Sequence, residues 1–209
     1  MSFELPESYR AYCGDAAVRA AVDHILSADS KKPLALPADI EWKELPAFHK
    51  AVLSAHQVRC EYAVFLIDLW DALWLRALDG WEFRSNLVPA TVAAAEEWWP
   101  QKLDTNTVWN SRHYFRLFNV GETGVPLGLG ACAEIERVRL SLSLWADDDT
   151  DYMTGLDLDE GWPQQDREEE VAWTCKSLAP IRDDGTIDLD PIRKAAEDAL
   201  ATVAAHVRS

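Results

Sequence analysis

Residues 108–146 read VWNSRHYFRLFNVGETGVPLGLGACAEIERVRLSLSLWA, and this stretch decides the fold class. Apolar and polar residues alternate along it, which is the two-residue period of a half-buried β-strand and not the period of a helix. The motif GETGVP separates two such segments and is typical of a turn. We therefore predict strands over about 108–120 and about 127–146.

The alternation changes phase once within the second of these segments. Its apolar residues fall at odd positions from Leu127 to Ile135 and at even positions from Val138 to Leu144. One extra residue reverses the two faces of a strand. The sequence therefore predicts a bulge or a break near Glu136–Arg137.

Helical patterns lie on both sides of this β-rich stretch. Residues 61–78, EYAVFLIDLWDALWLRAL, are apolar on nearly every side, which is typical of a central helix. Strands joined consecutively by turns, with helices before and after them, predict an α+β fold. We expect one domain over 1–209, with a helical N-terminal half, a long central helix, an antiparallel sheet of about three to four strands and a C-terminal helix. The predicted elements are helices over about 8–28, 47–79, 89–99 and 190–207, strands over about 108–120, 127–146 and 170–179, and an acidic loop over 146–170.

The acidic loop carries most of the net charge of −16, because it holds eleven acidic residues against Arg167 alone. Binding to a nucleic-acid backbone requires cations that displace counterions, so we expect no direct binding of that kind. Carboxylates with apolar residues among them favour electrostatic steering followed by apolar contact with a basic protein surface. The predicted partner-binding residues are Asp147, Asp148, Asp149, Asp151, Asp157, Asp159, Glu160 and Trp162.

The leading hypothesis is therefore a non-enzymatic interaction or regulatory protein that binds a basic partner through its acidic loop. Proteins that normally bind nucleic acid are one candidate class of partner, because the loop would imitate phosphate. The chain contains no GxGxxG, Walker, GxSxG or HExxH motif, so nucleotide binding and the common hydrolase mechanisms lack their residues. No cofactor is predicted apart from a possible divalent cation.

An alternative function follows from the long helix. Gln57, Glu61, Asp68, Asp71 and Asp79 lie within an arc of roughly 80° at about 100° per residue. Carboxylates on a rigid helix can ligate a divalent cation, which makes Glu61, Asp68 and Asp71 candidate metal ligands of a metal-assisted hydrolase or nuclease. The competing interpretation is that this polar stripe faces water or pairs with arginines of the sheet.

A second alternative rests on the predicted sheet. Its polar face would carry Arg112, Tyr114, Arg116 and Arg139, opposite the apolar face. Guanidinium groups suit carboxylate and phosphate, so these residues predict a site for a small anionic ligand. The competing interpretation is that Glu134 and the acidic loop neutralise this face.

The first residues, MSFELPESYR, lack the basic and apolar segments of a secretory signal. No apolar run approaches the roughly 20 residues that a membrane-spanning helix requires. We therefore expect a cytoplasmic protein that has no membrane partner.

Overall fold

The computed structural model of the chain describes residues 3–29, 38–78, 81–87, 105–120, 123–134, 137–145, 155–167, 170–175 and 179–208. The chain forms two compact units, Leu5–Phe65 and Met1–Glu4 together with Leu66–Ser209. The α+β class, with an antiparallel sheet, a long helix and a C-terminal helix, is confirmed. The single domain over 1–209 stays a prediction.

The helices agree with several of the predicted boundaries. The predicted helix over 47–79 corresponds to a helix at Leu45–Trp74 and a 3₁₀ turn at Leu75–Leu78, and the predicted helix over 190–207 corresponds to a helix at Asp190–Val207. The predicted helix over 89–99 lies outside the described residues. No helix in the described part of the chain is long and apolar enough to cross a membrane. The helices are α1 (Glu7–Gly14), α2 (Ala16–Asp29), α3 (Leu45–Trp74), α4 (Thr105–Ser111) and α5 (Asp190–Val207).

The single helix predicted over 8–28 is two helices, α1 and α2, and Asp15 separates them. Asp15 has an extended backbone, with φ −120° and ψ 114°. Its Oδ1 atom accepts hydrogen bonds from the N–H groups of Ala17, at 2.8 Å, and Val18, at 3.2 Å. Aspartate is among the preferred N-cap residues, so this cap starts a new helix where apolar spacing alone predicts continuity.

The strands are β1 (Phe3–Glu4), β2 (Glu82–Leu87), β3 (His113–Asn119), β4 (Pro126–Ala133), β5 (Arg137–Trp145), β6 (Gln164–Arg167), β7 (Glu170–Thr174), β8 (Ala179–Pro180) and β9 (Thr186–Ile187). They form two antiparallel sheets, a pair β1–β9 and a larger sheet with the order β2-β3-β4-β5-β7-β6, in which β8 also pairs with β5. The larger sheet has seven strands among the described residues, against about three to four predicted. No strand is predicted at β2 or β6, and the predicted strands over 127–146 and 170–179 are each divided in two.

The strand predicted over 108–120 begins later than predicted, because its first residues belong to α4. Arg112 joins this helix to β3 with a left-handed backbone, at φ 58°, and its N–H donates to the carbonyl of Val108. Residues in this conformation commonly end helices. The Arg112 guanidinium lies 3.5 Å from the ring centroid of Trp109, which stabilises the junction by a cation–π contact.

The predicted phase change near Glu136–Arg137 separates two strands that pair with each other. β4 and β5 are antiparallel, with Leu127 opposite Leu144 and Ala133 opposite Val138. The connection is closed by a 2.9 Å hydrogen bond from the Glu134 N–H to the Arg137 carbonyl. In this register odd residues of β4 lie opposite even residues of β5, so the change of phase keeps the apolar residues of both strands on one face.

That apolar face packs against the second half of α3. The indole Nε1 of Trp70 donates to the carbonyl of Leu129 at 2.8 Å, and that of Trp74 donates to the carbonyl of Gly130 at 3.1 Å. Both tryptophans are fully buried. The Trp70 ring also stacks on Phe118 of β3, with 5.8 Å between ring centroids.

We expect Trp70→Phe to lower the free energy of unfolding by about 2–4 kcal/mol, because it leaves a cavity and removes an indole hydrogen bond from a buried carbonyl. Urea unfolding monitored by circular dichroism measures this change. Trp42→Phe is the matched control, because Trp42 is 89 % exposed, and we expect it to change stability by less than about 0.5 kcal/mol. Equal effects of the two substitutions would contradict the role assigned to Trp70.

Candidate functional site

The acidic loop is shorter than the predicted range 146–170, because Gln164–Arg167 form β6. Its predicted partner-binding residues Asp147, Asp148, Asp149 and Asp151 lie outside the described residues. The other four lie in the stretch 155–163, GLDLDEGWP, which we call the acidic turn.

Burial alternates along the acidic turn. Asp157, Asp159 and Glu160 are exposed. The apolar residues Leu156, Leu158 and Trp162 are buried, with at most 5 % of their surface exposed. Trp162 is therefore mostly buried within its own unit, where it holds the turn in place, and its role as a partner contact stays a prediction. Alternation places the apolar side chains inside and leaves the carboxylates in solvent.

Hydrogen bonds within the acidic turn hold its backbone in one conformation. Asp157 Oδ1 accepts the N–H of Asp159 at 2.9 Å, and Asp159 Oδ1 accepts the N–H of Gly161 at 2.5 Å. The carbonyl of Asp159 accepts the N–H of Trp162 at 3.1 Å. Asp159 has a φ of 83°, a left-handed conformation that aspartate tolerates better than most residues. The carboxylates are therefore presented from a formed turn.

The charge of the acidic turn is uncompensated within the described part of the chain. Its sequence contains three carboxylates and no basic residue. Asp157, Asp159 and Glu160 form no ion pair with any residue that the structure describes. Arg116 and Arg139 of the sheet pair with Asp71 and Glu134.

A cleft of about 220 Å³ lies between the acidic turn and α5. One wall is Leu158, Asp159, Gly161 and Trp162. The helix residues of the other wall recur at spacings of three and four, which places them on one face of α5. They are Pro191, Lys194, Ala195, Asp198, Ala199 and Thr202. The small side chains of Ala195 and Ala199 leave the cleft unfilled.

Comparison of the chain with protein-family models, with curated proteins and with solved structures found no match.

The structure does not bring the four predicted anion-binding residues together. Tyr114 and Arg116 lie on the face of the sheet that packs against α3, because both contact the ring of Trp70. Arg139 lies opposite Cys132 and on the other face, while Arg112 precedes β3. The alternation along β3 therefore predicts the wrong face for its arginine. Arg116 lies on the face that packs against α3, and Phe115 lies on the opposite face.

Arg116 and Arg139 each have a carboxylate partner. Arg116 Nη1 lies 3.0 Å from Asp71 Oδ1, and Arg116 Nε donates to the Tyr114 hydroxyl at 3.0 Å. The Glu134 carboxylate pairs with both Arg137 and Arg139. The pairing by Glu134 agrees with part of the competing interpretation for the sheet, and the Arg116–Asp71 pair agrees with the one for the stripe of α3, in which its carboxylates pair with sheet arginines. Binding of a small anion stays a prediction.

The polar stripe of α3 includes groups with different surroundings. Glu61, in the unit Leu5–Phe65, accepts hydrogen bonds from the Ser8 hydroxyl and from Gln57 Nε2, which lower the pKa of its carboxyl group. Asp71, in the other unit, pairs with Arg116, and Asp68 is exposed. Asp79 lies outside the described residues. Across the described ranges, no group of three or more His, Cys, Asp or Glu side chains is arranged to hold a metal ion, and cation binding stays a prediction.

The row His113, Cys132 and Arg139 crosses three strands on the face opposite α3. Burial and then the positive charge of Arg139 lower the pKa of His113 to about 4. Burial raises the pKa of the Cys132 thiol. Both groups are therefore neutral at neutral pH, and Cys132 lacks the thiolate that a nucleophile needs.

The cleft residues that the sequence pattern does not reveal are those of α5. Lys194, Ala195, Asp198 and Ala199 belong to the wall of the cleft that α5 forms. The alanine-rich composition of α5 was visible in the sequence, but only the fold shows that these alanines face the acidic turn.

We expect Asp159→Ala to destabilise the protein by about 1–2 kcal/mol, because the variant lacks the side-chain oxygen that accepts the Gly161 N–H. Alanine is also strained at the positive φ of this position. Asp159→Asn keeps a carbonyl acceptor and tolerates this conformation, so we expect a change below about 0.5 kcal/mol. Chemical denaturation of both variants gives the comparison. An equal loss in the two variants would mean that charge, and not turn geometry, stabilises this segment.

The lowered pKa of His113 predicts a specific pH dependence of stability. In the unfolded chain the imidazole titrates near pH 6.5, so between about pH 6.5 and 4 the unfolded state binds a proton that the folded state excludes. The free energy of unfolding should therefore fall as the pH decreases through this window. We expect the stability of wild type relative to His113→Gln to fall by about 2 kcal/mol from pH 7 to pH 5.

Denaturation at the two pH values measures this difference. His24→Gln is the control, because His24 is exposed. A stability difference between wild type and His113→Gln that is independent of pH would contradict the assignment.

Proposed function

We propose that this chain is a non-enzymatic interaction protein that binds a basic protein surface through its acidic turn. The observation that supports the proposal is the arrangement of Asp157, Asp159 and Glu160. All three are exposed, they have no ion pair among the described residues, and buried apolar neighbours hold their backbone in place.

Concentrated charge of one sign accelerates association with an oppositely charged partner. The sequence beside the acidic turn extends the same sign, because Asp147, Asp148, Asp149 and Asp151 precede it. A partner would therefore meet a negative surface, and its attraction would weaken as salt screens the charges.

A formed turn also reduces the entropic cost of binding. Ordering a flexible segment at an interface costs free energy, whereas a segment that is already ordered avoids this cost. The hydrogen bonds from the N–H groups of Asp159 and Gly161 to side chains of the turn provide this order before any partner arrives. The proposal therefore combines steering by charge with a preorganised contact surface.

The test is a triple variant, Asp157→Asn, Asp159→Asn and Glu160→Gln, which removes the charges and keeps the side-chain acceptors of the turn. Titration calorimetry with a lysine-rich peptide measures the affinity. We expect the variant to bind about tenfold more weakly than wild type, and we expect this difference to shrink at high salt.

The matched control is the triple variant Glu4→Gln, Glu7→Gln and Asp39→Asn, which makes the same change of net charge at exposed positions outside the acidic turn. We expect this control to lose less than about twofold in affinity. If both triple variants lose the same affinity, the net charge of the chain explains binding and the proposed surface is wrong.

A further inference from the structure

We infer that the cleft between the acidic turn and α5 is a binding site for one lysine or arginine side chain of the basic partner. The inference rests on the proposed function, and it names the part of the partner that the cleft recognises. The cleft is open to solvent and belongs entirely to the unit that contains the larger sheet.

The size of the cleft suits a single side chain. Its volume of about 220 Å³ is below the roughly 300–1,000 Å³ that are usual for sites of drug-sized ligands. Its shape comes from Ala195 and Ala199, whose methyl groups leave room between helix and turn. One long side chain therefore fits these dimensions better than a cofactor or a nucleotide.

The lining of the cleft matches the chemistry of a lysine or arginine side chain. Leu158, Trp162 and Ala199 are buried apolar residues, and they provide a surface for an aliphatic stem. Asp159 and Asp198 are exposed carboxylates in the same lining, and they provide partners for a cationic end. Long basic side chains bury their methylene groups along apolar surface while the charged end stays with polar groups.

Lys194 is the one cation among the residues that line the cleft as described. It is exposed and forms no ion pair with another described residue, so its ammonium group opposes a bound cation. The two carboxylates outnumber it, and Asp157 and Glu160 nearby add to the negative potential. Removal of the Lys194 charge should therefore strengthen binding of a basic side chain.

The length of the stem separates insertion into the cleft from attraction by charge alone. We would titrate wild type with a lysine-rich peptide and with a matched peptide in which diaminobutyric acid replaces each lysine. The two peptides carry the same charge at a pH where both amines are protonated, but the second has two fewer methylene groups per side chain. We expect the lysine peptide to bind about tenfold more tightly, because the cleft buries these methylene groups.

Ala195→Met tests the cleft without a change of charge. Ala195 is half-buried, so the longer side chain extends into the cleft without entering the core. We expect this variant to bind both peptides with the affinity that wild type has for the shorter one. Thermal unfolding verifies that the variant is folded.

Lys194→Met is a second variant, which keeps the stem and removes the charge. We expect it to bind the lysine peptide about threefold more tightly than wild type. Weaker binding in this variant would indicate an anion site and would overturn the inference.

The outcomes distinguish the inference from the proposed function. If wild type binds the two peptides equally, or if Ala195→Met keeps the preference for lysine, the cleft does not take a side chain. The charge-removing triple variant of the acidic turn would still weaken binding in that case, and the proposed function would stand. If that triple variant binds both peptides as wild type does, the proposed function fails as well.

Discussion

The arrangement of the larger sheet depends on two indole hydrogen bonds from α3 to β4. Trp70 and Trp74 donate to consecutive carbonyl groups, those of Leu129 and Gly130. β4 lies between β3 and β5 in the sheet, and a carbonyl oxygen has a second lone pair that can accept from outside the ladder. The helix is therefore held along the strand, and the face it covers becomes the core. Arg116 falls on that face, where the Trp70 ring and the Asp71 carboxylate accommodate it. The guanidinium of Arg116, predicted from the sequence as part of an anion site, is thus part of the packing.

Packing on the opposite face of the sheet depends on the absence of a side chain at Gly130. A Cβ atom at Gly130 would lie 2.6 Å from Cζ of Phe115 and closer still to the Ser141 hydroxyl. A glycine within a strand allows close approach of a neighbouring group. Gly130 therefore lets the ring of Phe115 in β3 lie over β4. Next to this contact, burial keeps His113 and Cys132 uncharged. Neutral groups beside a packed aromatic ring, and an arginine that Glu134 pairs, have the features of a structural surface. The charged turn outside the sheet is therefore the better candidate for function.

Periodicity predicted the parts of the fold that depend on local pattern. The change of phase between Ile135 and Val138 marked the β4–β5 connection, because antiparallel register requires odd residues to oppose even ones there. Periodicity failed where a specific contact decides the outcome. Asp15 interrupts a helical pattern by capping α2, and Arg116, on the polar side of the alternation in β3, lies on the face that packs against α3. The cleft itself was beyond prediction, because it requires the acidic turn and α5, about 30 residues apart, to be adjacent.

The acidic turn separates buried and exposed side chains along a single short sequence. Its buried residues, Leu156, Leu158 and Trp162, give the free energy that holds the turn in place. The side-chain oxygens of Asp157 and Asp159 add the hydrogen bonds that fix its backbone. The negative charges themselves cost little stability, since like charges in water repel each other weakly. Because α5 supplies the other wall of the cleft, the same helix that buries Ile192 and Val203 also sets the width of the space beside these charges.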